Sequence, residues 1–166
     1  MHFQTKLIGG VALVVALIGA WLLSGIDWEA RAIRKQFTEL VELVEKDGPV
    51  SSIEALGRGR KLGQLFTDGA RVEYYPGREL PRNLNAMGAA FASVWSRVDR
   101  ASVRIGRHAV EVAQSKESAT SNLRLTCSVI LEGAERMGDT IDYRAYWFRT
   151  DGKWLIDRFV TTGAER

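Results

Sequence analysis

The sequence holds one cysteine, Cys127, and two histidines, His2 and His108. No intrachain disulfide can form, and these residues cannot supply a conventional structural zinc site. Proline is as scarce. Pro49, Pro76 and Pro81 are the only three, which excludes a proline-rich or collagen-like chain. Acidic residues are absent from the first 26 positions, where Lys6 is the one Lys or Arg. The remainder lacks an excess of either sign: 23 − 1 = 22 basic residues stand against 20 acidic ones, a net of +2. Nucleic-acid binding calls for a dense basic stripe. No nucleic-acid partner is therefore expected, and a pI near 9.2 adds little.

Apolar residues are plentiful, at 46% against 26% charged, an ordinary globular composition. They are concentrated first in Leu7–Ile26, a run without a charged residue. At about 1.5 Å per residue such a helix covers about 30 Å, the thickness of a bilayer core. Trp21 and Trp28 stand near its C-terminal end, where aromatic rings favour the headgroup region. A cleaved signal peptide would have a shorter apolar core and a small-x-small site at its end. Ile18-Gly19-Ala20 and Leu23-Ser24-Gly25 both put a large residue where a small one is needed. A buried helix of a soluble core is not the expectation, because the segment is apolar all round. The segment is therefore expected to be an uncleaved single-pass anchor in the inner (plasma) membrane. The division is a short tail at 1–6, a transmembrane helix at 7–26 and one domain at 27–166. Arg31, Arg34 and Lys35 outnumber Lys6 and would place the domain in the cytoplasm by the positive-inside rule. These three also read as part of a folded helix, and a periplasmic, extracytoplasmic domain is the expectation.

Beyond the run, Ile33, Phe37, Leu40, Val41 and Val44 recur at helical spacing, and Asp47-Gly48-Pro49 ends that helix. Ser51-Ser52-Ile53-Glu54 is a capping box opening a second helix. Gly57, Gly59 and Gly63 weaken it and make it slim for close packing. A short strand is predicted at Ala70–Tyr75. A third helix follows Pro81, capped by Asn83 or Asn85, with Leu84, Met87, Phe91, Val94 and Val98 on its buried face. Strands follow at about Ser102–Val112, with a bulge near Gly106, at Asn122–Leu131, at Thr140–Arg149 and at Lys153–Thr162. Asp151-Gly152 supplies the last hairpin turn. The fold class is α+β.

This order, with the ending Thr150-Asp151-Gly152-Lys153-Trp154-Leu155-Ile156-Asp157-Arg158-Phe159, resembles the nuclear transport factor 2-like superfamily. The resemblance covers about residues 28–162. It implies a cystatin-like cone: a strongly curved antiparallel sheet wrapped around about three helices, here behind a transmembrane helix. The superfamily includes SnoaL-type cyclases, ketosteroid isomerases, dehydratases and non-catalytic scaffold proteins, so the fold does not choose a function.

Isomerase-type chemistry needs a carboxylate base and a Tyr or protonated acid converging in the cone. Glu73, Tyr74 and Tyr75 stand on the first strand, and Asp142, Tyr143, Tyr146 and Asp157 on later ones. Any sheet of this size supplies such residues, and helix 1 offers no Tyr, His or Asp on its buried face. No catalytic or ligand-binding residue is singled out, and no metal or cofactor is expected. Arg58, Arg60, Lys61, Arg71, Arg78 and Arg82 read as solvated charge, His108 as a structural histidine and Cys127 as a packed thiol. The expected function is a membrane-anchored, non-catalytic binding or scaffold domain of the bacterial envelope. The alternative is a small enzyme of isomerase, cyclase or dehydratase type. Beyond the lipid bilayer, the expected partners are a small apolar ligand, an envelope protein or a second copy.

Overall fold

The computed structural model describes residues 27–131, 133 and 135–163. The expected membrane span at Leu7–Ile26 lies outside them. Among the described residues no helix is long and apolar enough to cross a membrane.

Helix α1 (Trp28–Val44) starts at Asp27, whose side chain accepts from the Ala30 amide at 3.1 Å. Its buried face is Ala30, Ile33, Phe37 and Val41, the three-and-four spacing read from the sequence. The Arg58 guanidinium donates to the carbonyls of Glu42, Leu43 and Glu45, placing a cation at the negative end of the helix. Helix α2 (Ser52–Gly63) carries its expected Ser51 cap, which accepts from the Glu54 amide. Asn83 caps helix α3 (Leu84–Trp95). Here the predicted face was rotated: Val94 is 64% exposed, and Met87, Gly88, Ala92 and Trp95 point inward. The reason is a backbone-to-backbone crossing of α2 and α3. A Cβ added to Gly59 would lie 2.4 Å from the Gly88 carbonyl oxygen, and one added to Gly88 would lie 2.7 Å from that of Gly59.

Seven strands make one sheet: β1 (Lys46–Asp47), β2 (Phe66–Tyr75), β3 (Arg78–Glu79), β4 (Val98–Val112), β5 (Ser118–Leu131), β6 (Arg136–Thr150) and β7 (Lys153–Thr161). Their spatial order is β1-β4-β5-β6-β7-β2-β3. Neighbours are antiparallel, as expected, with one exception: β2 joins β7 in parallel. Strand β2 also begins earlier than its apolar pattern suggests. Gly69, at φ +78°, lies where the β2–β7 register shifts between Phe66 and Arg71, so it interrupts the strand without ending it. The predicted bulge is present between Ile105 and Arg107, and a second falls between Tyr146 and Trp147. Such bulges bend a sheet. Asp151 and Gly152 both take positive φ in the β6–β7 turn.

One face of the sheet is covered by helices. Leu123 and Leu125 of β5, Tyr143, Ala145 and Trp147 of β6, and Ile156 and Phe159 of β7 pack there with Ile33 and Phe37. The other face carries the alternate residues, among them Arg124, Arg144, Phe148 and Arg158, and is exposed.

Candidate functional site

The polar groups on the helix-covered face lie along two rungs of the sheet. His108 of β4 is level with Leu123 and, beyond it, Tyr143. Ser121 of β5 is level with Ala145, between Val110 and Phe159. The Trp147 indole Nε1–H donates to Ser121 Oγ at 2.9 Å, and Ser121 Oγ lies 3.2 Å from His108 Nε2. An indole nitrogen only donates. The serine oxygen accepts from the indole, and the direction of its bond with His108 Nε2 follows the imidazole tautomer. The imidazole packs edge-on against Phe37, with centroids 5.1 Å apart. Burial, with a smaller contribution from the Arg34 charge, lowers the His108 pKa from 6.5 to about 4. Ser121 has no exposed surface. A substrate cannot reach its hydroxyl, so the Ser–His pair is a structural relay and no nucleophile.

The low His108 pKa makes stability pH-dependent. The unfolded chain takes up this proton near pH 6.5, and the folded protein resists it until about pH 4. Stability from this source is complete above about pH 6.5 and is lost as the pH falls toward 4. A shift of this size corresponds to about 3 kcal/mol. The ring keeps partial solvent contact, so about 1–2 kcal/mol is expected. Denaturant melts of wild type and His108→Gln between pH 7 and 4.5 check it: the wild type should lose more, and parallel losses would refute it.

The carboxylates and tyrosines named from sequence do not converge. The Tyr143 hydroxyl is inside, donating to the Tyr74 carbonyl oxygen at 2.7 Å, and burial raises its pKa. Tyr74 and Tyr75 are exposed. Glu73 caps a turn by accepting from the Gly77 amide at 2.7 Å, and that bond holds its pKa low. Asp142 stands on the outer face in a two-bond pair with Arg124, 2.8 Å each, and Tyr146 lies under the Arg158 guanidinium. Asp157 accepts from Thr67. The residue that sequence reading missed is Asp139. It is exposed, level with Cys127 and four residues along β6 from Tyr143 on the same side of the strand, and its charge helps raise the pKa of both. Extending the alternation back from Tyr143 through Ile141 finds it. Burial is the larger cause at Cys127, consistent with a packed thiol.

The basic residues of α2 and β2 do not act as one patch. Arg58 is committed to the α1 carbonyls and Glu54, and Arg71 and Arg82 to Glu79. A cleft of about 670 Å³ opens elsewhere, between the end of α1, β1 and the adjoining ends of β4–β6. It brings together Glu42, Glu45, Lys46, Arg58, Arg100 and Arg136. Lys46 is buried there, its ammonium donating to the Trp95 carbonyl and lying 4.7 Å from the Trp95 ring centroid. No group of His, Cys, Asp and Glu among the described residues could hold a metal ion.

No protein-family model and no curated protein sequence matches the chain. Solved structures do. A protein of Novosphingobium aromaticivorans described as NTF2-like with a cystatin-like fold is 14% identical, with a TM-score of 0.60 over 99% of this chain and 94% of its own. A candidate scytalone dehydratase from the same organism is 15% identical, TM-score 0.59, over 80% and 83%. A candidate aromatic ring hydroxylase, also from it, is 12% identical, TM-score 0.65, over 80% and 87%. The three helices and seven-stranded sheet thus form the cone fold of the nuclear transport factor 2-like proteins. That likeness fixes the architecture and leaves the activity open.

Proposed function

We propose that the chain is a single-pass, membrane-anchored domain of the bacterial envelope that binds a partner protein or a small apolar ligand without transforming it. Its domain stands on the extracytoplasmic side of the inner membrane. The observation that carries the non-catalytic part is the commitment of the interior polar groups to one another. Tyr143 donates to a backbone carbonyl, and Trp147, Ser121 and His108 satisfy each other. Apolar side chains from all three helices fill the space around them. The anchor rests on the length and uniform apolarity of Leu7–Ile26. Alkaline carbonate extraction of cells making the full chain tests it. The chain should stay in the membrane pellet, and release into the supernatant would overturn the anchor.

One observation favours a second reading, an isomerase, cyclase or dehydratase. Asp139 lies on the same side of β6 as Tyr143, four residues along the strand, and its charge acts on the tyrosine. A fold neighbour described as a candidate scytalone dehydratase is in keeping with it. Turnover of a cyclic carbonyl compound, abolished by Asp139→Asn and by Tyr143→Phe with binding retained, would establish this reading and displace the first.

A further inference from the structure

The outer face of the sheet is built of arginine. Alternation along β4–β7 turns Arg104, Arg107, Arg124, Arg136, Arg144 and Arg158 outward. The acids beside them are Glu111, Asp142 and, at the β7 bulge, Asp157; at the β1 edge Asp47 pairs with the likewise outward Arg100, and Glu42 and Glu45 share the cleft with Arg136. Among the described residues, Arg124 alone of the six has a carboxylate partner, Asp142. Arg136 and Arg144 donate to the neutral Ser128 and Asn122, Arg158 lies over Tyr146, and Arg104 and Arg107 pair with no carboxylate. Neutral partners orient a guanidinium and leave its charge uncompensated. Two copies set face to face would bring these rows together, so the face repels its own copy.

Phe148, 47% exposed, stands on this same face at the end where the chain enters α1. The link is direct: Arg149, the next residue, bonds Glu29 at 2.9 Å, two positions after Asp27. The apolar run Leu7–Ile26 is joined there. We propose that the outer face docks on anionic phospholipid headgroups, with Phe148 at the tethered edge and the arginines binding phosphates. The proposal rests on the anchored reading of the preceding subsection. Three features point to lipid in preference to an acidic protein. Guanidinium groups bind phosphate oxygens in two-bond pairs. An exposed phenylalanine ring can enter the boundary between headgroups and acyl chains. A tether raises the effective concentration of the bilayer at this face.

The test uses the full chain in nanodiscs with a bimane label at Thr126→Cys, an outer-face position, in a Cys127→Ser background. The discs carry a headgroup nitroxide lipid in phosphatidylcholine, with or without phosphatidylglycerol. Bimane should be quenched with phosphatidylglycerol, released by high salt, and little quenched without it. The pair Arg104→Glu and Arg107→Glu should lower the docked fraction ratio about 30-fold or more, at about a fivefold change per charge removed. Arg144→Glu, on another strand, should act in the same direction, with circular dichroism confirming the fold of each variant. Protein retained in the discs but unquenched with phosphatidylglycerol, or quenched equally without it, overturns the docking and leaves the anchor standing. Protein that the discs do not retain refutes the anchor. Flotation with phosphatidylglycerol vesicles then decides the face: flotation abolished by the Arg104/Arg107 change upholds it, and no flotation overturns it.

Discussion

Gly59→Ala is expected to destabilise the domain by about 2–3 kcal/mol, against the helix propensity of the two residues. Alanine in the middle of a helix is favoured over glycine by about 0.5–1 kcal/mol. At Gly59 that gain is outweighed, because the new methyl group would lie 2.4 Å from the Gly88 carbonyl oxygen. The obstacle is backbone, which cannot swing aside, so α2 and α3 must separate along their length. Overpacking of this kind costs about 1–3 kcal/mol, and more where nothing can yield. Gly57 supplies the control. It lies on the same helix with nothing within 4 Å of its added Cβ, so Gly57→Ala should stabilise by about 0.5–1 kcal/mol. Urea melts of the two variants should move in opposite directions. Equal shifts would mean that the crossing is looser than described.

A larger loss is expected for Trp147→Ala, about 4 kcal/mol. Trp147 is fully buried on β6, among the largest side chains of the core. Truncating a buried tryptophan leaves a cavity and costs about 3–5 kcal/mol. It also removes the indole donor from Ser121 Oγ, the partner of His108 Nε2. The variant therefore has a second signature: His108, freed from the relay and opened to water, should titrate closer to its ordinary 6.5 than to 4. Imidazole chemical shifts followed against pH read this directly. Trp147→Phe should restore most of the packing while still breaking the relay. A His108 pKa unchanged in both variants would mean that burial by Phe37 and its neighbours sets it alone.

These effects mark where sequence reading succeeds and where it stops. Ile33, Phe37 and Val41 announce their helix because the period of an amphipathic helix is written in the residue types. Ser51, Asn83 and Asp151-Gly152 announce ends and turns for similarly local reasons. Gly59 hinted at a slim helix, yet its counterpart Gly88 could not be identified, since the crossing depends on a contact between distant segments. The parallel joining of β2 to β7 is hidden for the same reason. The interior site was legible in composition but not in arrangement. Asp142 and Tyr143 are adjacent in sequence and lie on opposite faces. Asp139 was passed over because the strand was started at Thr140, four residues too late, although its alternation reaches back to Arg136. Only the register between β4, β5 and β6 brings Arg104, Arg107 and Arg124 onto a single surface.

Strand β2 takes its place beside β7, the last strand of the chain. During synthesis its residues leave the ribosome long before Phe159 exists, and they must wait for a partner about 87 to 90 residues away. Helix α1, whose Gln36 and Glu29 bond to Trp154, waits as well. Strand β7 thus acts as a completion check for the sheet. A chain cut short before β7 keeps a β4–β6 meander with an unpaired strand, an α1 without its Trp154 contacts and a β2 with nowhere to bind. Such a product advertises its own incompleteness to chaperones and proteases.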